Sequence, residues 1–167
     1  MKYSVFQNKL KKSYSGKDVE LIDNAYKFAN DAHKGQIRAS GDPFIYHSVA
    51  VASILQELRL PPVVLAAALL HDVVEDSTVT LGALTKGFGK EITSMVDGVT
   101  KLTGQVQRQD SKMLSVLGNR ESNGKDITDE QAETIRKTFL AMSDDVRIVI
   151  IKLADRFHNM RTLTSLP

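Results

Sequence analysis

Cysteine is absent from this chain of 167 residues. That absence excludes disulfides and any thiolate site, whether structural or catalytic, and it fits a reducing compartment. A strong charge of one sign is also missing: 22 Lys and Arg stand against 20 Asp and Glu, for a formal net charge of +2. No whole-protein field of that size argues for nucleic-acid or membrane binding by this domain. Apolar runs fall well short of the roughly 20 residues of a membrane span. The polar stretch Met1–Lys17 has no signal-peptide core. Persistent strand alternation and internal repeats are absent too. What is present is 42% hydrophobic and 25% charged residues, the balance of a soluble globular domain. The expectation is one cytoplasmic domain over residues 1–167.

The most informative stretch is Val63-Val64-Leu65-Ala66-Ala67-Ala68-Leu69-Leu70 running directly into His71-Asp72-Val73-Val74-Glu75-Asp76. Ala and Leu favour helix, and nothing polar marks a solvent face, so the run predicts a buried helix. Continued at about 100° per residue, that helix stacks His71 over Glu75 and Asp72 over Asp76. Three carboxylates and an imidazole at the end of a core helix cost several kcal/mol unless something compensates. A divalent metal compensates; a capped helix end facing water is the plainer alternative. Further ligands elsewhere decide between the two.

Along the chain, residues 1–16 form a short first helix or a frayed end. A helix follows from Lys17-Asp18 to His33, with Leu21, Ala25, Phe28, Ala29 and Ala32 on one stripe and Gly35 as its stop. His33 in the last turn suits the helix dipole. Asp42-Pro43 reads as an N-cap with Pro at the first helical position, opening a helix from Phe44 to about Leu58 with His47 near its start. Ser77 to Lys90 reads as a turn and short helix closed by Gly89, and Glu91 to Leu102 as an amphipathic helix. The stretch from Gly104 to about Lys125, rich in Gln, Ser, Asn and Gly, is expected to be a functional or disordered loop. Thr128-Asp129-Glu130-Gln131 is a capping box for a helix to Met142 that buries Ala132, Ile135, Phe139 and Met142.

Ser143-Asp144 is expected to cap the last helix, Asp145 to about Thr164. Its predicted core face holds Val146, Val149, Ile150, Leu153, Phe157 and Met160. Asp155, Asn159 and Thr162 share a second face, within about 60° of one another, which Ile148 and Ile151 continue in apolar form. His158 points away from it and reads as structural. The β-branched run Val146–Ile151 stays helical because the pattern continues through both ends. The fold class is all-α, a compact bundle of about seven helices.

His47, His71-Asp72 and Asp155 therefore lie on separate helices of one bundle. Two imidazoles and two carboxylates form the mixed N/O donor set of a catalytic divalent metal such as Mn, Fe or Zn. A carboxylate one turn beyond His71, Glu75, can serve as general base without displacing a ligand. Lys34, Arg38, Lys101, Lys152, Arg156 and Arg161 are the candidate rim cations of such a site.

The collected residues resemble the H…HD…D ligand set of the HD superfamily of metal-dependent phosphohydrolases. More specifically, Ala32-His33-Lys34-Gly35-Gln36, Pro43–His47, Leu69–Asp76 and Lys152–Leu163 resemble the hydrolase domain of bacterial RelA/SpoT-type proteins, over most of residues 20 to 167. The resemblance implies Mn²⁺-dependent removal of the 3′-pyrophosphate of ppGpp or pppGpp, giving GDP or GTP and pyrophosphate. On the matching positions, His47, His71, Asp72 and Asp155 hold Mn²⁺, and Glu75 with Asp76 positions and deprotonates water. Arg38 and Ser40 contact the guanine nucleotide, and Asn159 and Thr162 line the pocket. Where the family often has Lys beside that Arg, this chain has Ala39, a departure that bears on base stacking or phosphate contact.

Two other readings keep the scaffold: a regulatory domain that senses a nucleotide without cleaving it, and a hydrolase of another nucleotide phosphate. The resemblance also implies C-terminal synthetase or regulatory domains in a longer chain, with the 104–125 loop responding to them.

Overall fold

The computed structural model describes residues 2–117 and 145–162, with the backbone alone described over 105–117. These residues form seven helices: α1 (Tyr3–Ser13), α2 (Gly16–Ala32), α3 (Ile45–Glu57), α4 (Pro62–Leu70), α5 (Val73–Asp76), α6 (Leu81–Leu117) and α7 (Val146–Thr162). The expected helix to Met142 with its capping box at Thr128, and the Ser143-Asp144 cap, lie outside the described residues. Among those described there is no strand, only an isolated bridge between Ile37 and Pro43. No described helix is long and apolar enough to cross a membrane.

The axis of the bundle is α4. Pro61 and Pro62 set its start, with Pro62 in the first turn where no backbone N–H is needed. Every residue from Val64 to Leu70 is fully buried. α4 packs against α2, α3 and α6, while α7 closes the bundle against α3 and α6. An all-apolar helix is stable only with neighbours on all sides, and this packing supplies them. Within the first sixteen residues the chain forms α1, which buries Phe6 and Leu10. α2 opens with a reciprocal capping box between Ser15 and Asp18 and ends before Gly35, whose φ of 82° suits glycine.

Four expectations are corrected. The helix expected to run through His71 and Asp72 ends at Leu70 and resumes as α5, so those two side chains turn toward each other instead of rising in parallel rows. Asp42-Pro43 does not cap α3. Phe44 holds the N-cap position without a side-chain bond, and residues 36–44 form a tight turn closed by Arg38 N–H to Asp42 O (2.9 Å) and Phe44 N–H to Gln36 O (3.0 Å).

The loop expected from Gly104 is helical as far as Leu117. α6 is kinked only at Gly89, where φ is 79°, the closure expected there. Gln, Arg, Lys, Met and Leu beyond Gly104 are good helix formers, and one glycine costs only about 1 kcal/mol.

The fourth correction concerns α7. The buried residues are Ile148, Ile151, Lys152, Ala154 and Asp155. Val146, Leu153 and Met160 from the predicted core face are 67%, 60% and 67% exposed. Only one face of α7 can meet α3 and α6, and it is the face that carries Asp155. Polar groups on that face are tolerated because they pair with one another inside. The N-terminal cap is Asp145, whose Oδ1 accepts from Arg147 N–H at 2.9 Å.

The α6–α7 contact depends on Gly98. A Cβ there would collide with Ile148 Cδ1 and lie 3.1 Å from its Cγ1, so glycine lets the two helices approach. Gly98→Val is expected to destabilise the protein by about 1–3 kcal/mol through overpacking, measured by denaturant unfolding. Adding Ile148→Ala should recover part of that loss, and simple additivity of the two effects would show that they do not meet.

Candidate functional site

Three elements bring four ionisable side chains to one buried point. The first turn of α3 supplies His47, the α4–α5 junction supplies His71 and Asp72, and the middle of α7 supplies Asp155. His47 Nε2 lies 3.1 Å from Asp155 Oδ1 and 3.7 Å from Asp72 Oδ2. His71 Nε2 lies 3.0 Å from Asp72 Oδ1 and 4.0 Å from Asp155 Oδ1. One donor atom each from His47, His71 and Asp155 falls within 4.8 Å of the other two.

Local structure aims these atoms. α4 ends one residue before His71, so His71 Nδ1–H can donate to the Ala68 carbonyl at 2.7 Å, an acceptor of the last helical turn. That fixes Nδ1 as the nitrogen that keeps its proton in the neutral ring and turns Nε2 inward, where it is buried and makes no well-aligned hydrogen bond. Asp155 divides its carboxylate: Oδ1 faces the histidines and accepts from Asn159 Nδ2 at 2.9 Å, and Oδ2 accepts from the buried Lys152 ammonium at 2.7 Å.

The electrostatics follow from this crowding. Burial works against an imidazolium at His71, but the Asp72 and Asp155 carboxylates outweigh it and push its pKa up to about 9. His47 is shifted down, chiefly by burial. Burial alone would raise Asp72 and Asp155, yet the imidazoles, and Lys152 beside Asp155, hold both below the usual carboxylate range. The cluster draws in positive charge, and the inward Nε2 of His71 beside carboxylate oxygens is a donor set that fits a divalent cation.

A cavity of about 450 Å³ opens onto the cluster, lined by Arg38, Phe44, His47, Asp72, Glu75, Asp76, Thr103, Lys152, Asp155, Arg156, Asn159 and Met160. Glu75 and Asp76 stand at its exposed side with pKa values raised by burial and then by the Asp72 carboxylate. Asp76 is steadied through its backbone: Gln36 Nε2 donates to the Asp76 carbonyl at 2.6 Å, and His33 Nδ1–H donates to Gln36 Oε1 at 2.9 Å. His33, read from sequence as serving the helix dipole, is buried and stacks on Phe44 at 4.5 Å. Arg38 reaches across to α7, where its Nη2 donates to Asn159 Oδ1 at 2.8 Å.

Of the ten site residues expected from sequence, His47, Asp72, Glu75, Asp76, Arg38, Asp155 and Asn159 line this cavity, and His71 lies behind it. Ser40 and Thr162 are outside its wall. Ser40 is exposed and donates to Asp42 Oδ2 at 3.3 Å, and Thr162 Oγ1 turns back to the Asn159 carbonyl at 3.0 Å. Of the six candidate rim cations, Arg38, Lys152 and Arg156 are in the wall. Sequence reasoning missed Phe44 and Thr103. It also set aside His158, whose Nδ1 is 2.9 Å from His47 Nδ1; the signal was its place one turn after Asp155, on the same side of α7.

An all-helical bundle that presents two histidines and two aspartates from three elements beside an open cavity is the arrangement of an HD domain. The HD domain family model matches residues 25–167, and the chain belongs to that family. It is similar to the bifunctional (p)ppGpp synthase/hydrolase SpoT of Escherichia coli, 44% identical over 160 residues, covering 95% of this chain and 20% of that protein. It is also similar to the guanosine-3′,5′-bis(diphosphate) 3′-pyrophosphohydrolase of Vibrio cholerae, 46% identical over 148 residues, covering 89% of this chain and 19% of that protein. The chain thus spans about a fifth of the length of these relatives. Among solved structures it is similar to a metazoan ortholog of SpoT that hydrolyzes ppGpp and plays a role in starvation responses. That match has a TM-score of 0.59 and 26% identity, and covers 90% of this chain and 72% of that one.

With His71 raised to about 9, a cation arriving near neutral pH must displace its proton. Binding of a divalent cation at about pH 7.5 is expected to release about one proton, falling toward zero above about pH 9. Calorimetry in buffers of different ionisation enthalpy measures this, and no proton release at the lower pH would refute the assignment.

Proposed function

We propose that this chain is a metal-dependent phosphohydrolase that removes the 3′-pyrophosphate of (p)ppGpp, with Mn²⁺ held by His47, His71, Asp72 and Asp155. The observation that carries the reading is the juxtaposition of Glu75 and Asp76, two carboxylates raised in pKa, with a buried His/Asp cluster at one cation-lined cavity. The activities named for the similar proteins supply the substrate class. When bound, the metal supplies Lewis acidity and lowers the pKa of water.

The remaining chemistry belongs to side chains. Glu75 takes a proton from the attacking water, a task for which its raised pKa suits it better than an ordinary carboxylate. Asp76 orients that water, its own position fixed by Gln36. The water oxygen bonds to the phosphorus carried by the 3′-oxygen. The P–O3′ bond breaks, the 3′-oxygen takes up a proton, and pyrophosphate leaves. Arg38, Lys152 and Arg156 face the cavity as cations for the phosphates. Phe44 and Arg38, which lie 5.9 Å apart as ring centroid and guanidinium, form the wall against which a base can stack. Ala39 contributes no second cation to that wall. The setting for this activity is the cytoplasm.

The direct assay is release of pyrophosphate from ppGpp with Mn²⁺ and with excess chelator, followed by chromatography of the nucleotide. Manganese-dependent conversion to GDP is expected. Asp72→Ala should abolish it with helical circular dichroism retained, and Glu75→Gln should cut turnover by about 10²–10⁴-fold. Wild-type turnover in folded, metal-loaded Asp72→Ala would remove this site from the reaction.

A further inference from the structure

His158 and His47 meet through like atoms. Their Nδ1 nitrogens are 2.9 Å apart and the rings lie 4.9 Å apart, tilted by 56°. Two such nitrogens share one proton, so one ring donates and the other accepts. The opposite nitrogen of His47, Nε2, is the atom that faces Asp155 Oδ1 at 3.1 Å. Next to that carboxylate alone, Nε2 carries a proton and donates it, which leaves Nδ1 as an acceptor for His158 Nδ1–H. Next to a cation, Nε2 must present its lone pair, which requires a proton on Nδ1 and makes His158 the acceptor. A metal-ligating histidine is ordinarily held by a partner to its second nitrogen, usually a carboxylate or carbonyl that can only accept. An imidazole can do either.

We propose that His158 is a positioning residue for His47 that exchanges its role with the occupancy of the site. It donates to His47 Nδ1 when no cation is bound and accepts from it when one is. This inference rests on the reading of His47 as a metal ligand. The protons balance: the shared proton passes from His158 Nδ1 to His47 Nδ1, His47 loses its Nε2 proton, and His158 gains one on its own Nε2. Net proton release from this pair is zero, so the exchange leaves the proton count set by His71 unchanged. Because α7 carries both Asp155 and His158, one helix supplies a ligand and the support for a ligand on α3.

Histidine-selective ¹⁵N spectra of the whole chain test this, metal-free and loaded with diamagnetic Zn²⁺. The expected result is an Nδ1–H tautomer at His158 without metal and at His47 with it. An unchanged His158 tautomer across the two states overturns the proposal. In parallel, His158→Leu should weaken Mn²⁺ binding by about 10–100-fold. His158→Asn, whose Oδ1 replaces the accepting Nδ1, should restore most of the affinity, with thermal unfolding confirming that both variants fold. Equal weakening by Leu and Asn would assign His158 to packing. If the wild-type chain binds neither metal, the metal reading fails. If it binds both while the tautomers and the His158→Leu affinity stay constant, only this inference fails.

Discussion

Two carboxylates and two imidazoles share one buried point, and the rest of the structure is arranged to withstand that crowding. An uncompensated buried charge costs several kcal/mol, so the cluster persists only where each group meets an opposite charge, a donor or an ion. Lys152 takes one oxygen of Asp155 and Asn159 supports the other. His71 is fixed by the carbonyl of Ala68. The apolar mass of α4, buried from Val64 to Leu70, anchors the junction from which His71 and Asp72 project.

The same crowding pushes the carboxylates in opposite directions, and on the proposed function this separates them by role. Asp72 and Asp155 lie against imidazoles and are held as anions, the state a metal ligand needs. Glu75 and Asp76, one turn further on and at the open side, lie near the Asp72 carboxylate and are raised. Groups pushed in opposite directions by neighbours a few residues apart are the usual basis for dividing binding from proton transfer. The break between α4 and α5 serves this division, because it lets His71 point inward while Glu75 remains at the cavity.

Much of this was legible in the sequence where the signal is local. Val63–Leu70 is helical and buried because nothing in it favours another state, and the stop at Gly35 follows from its backbone. The four-residue cluster was legible from donor chemistry on separate helices. The individual pairings around that cluster were not legible. The predicted core face of α7 rests on a count of apolar side chains, and the six from Val146 to Met160 on that face outnumber Ile148, Ile151 and Ala154 on the inward one. Asp155 and Lys152 sit inside because they pair there, which no periodicity reports. His158 escaped for the same reason, its partner lying 111 residues away in sequence. The continuation of α6 past Gly104 shows that weak periodicity does not prevent helix when the intrinsic propensities are good.

The measurement that bears most directly on the central claim is anomalous diffraction at the manganese edge from crystals of this chain grown with MnCl₂. One peak within coordination distance of His47 Nε2, His71 Nε2, Asp72 and Asp155 Oδ1, with Lys152 still on Asp155 Oδ2, is the result expected. A peak held by Glu75 and Asp76 instead, or none at the cluster in a folded crystal, would contradict the account of why these four groups are buried together.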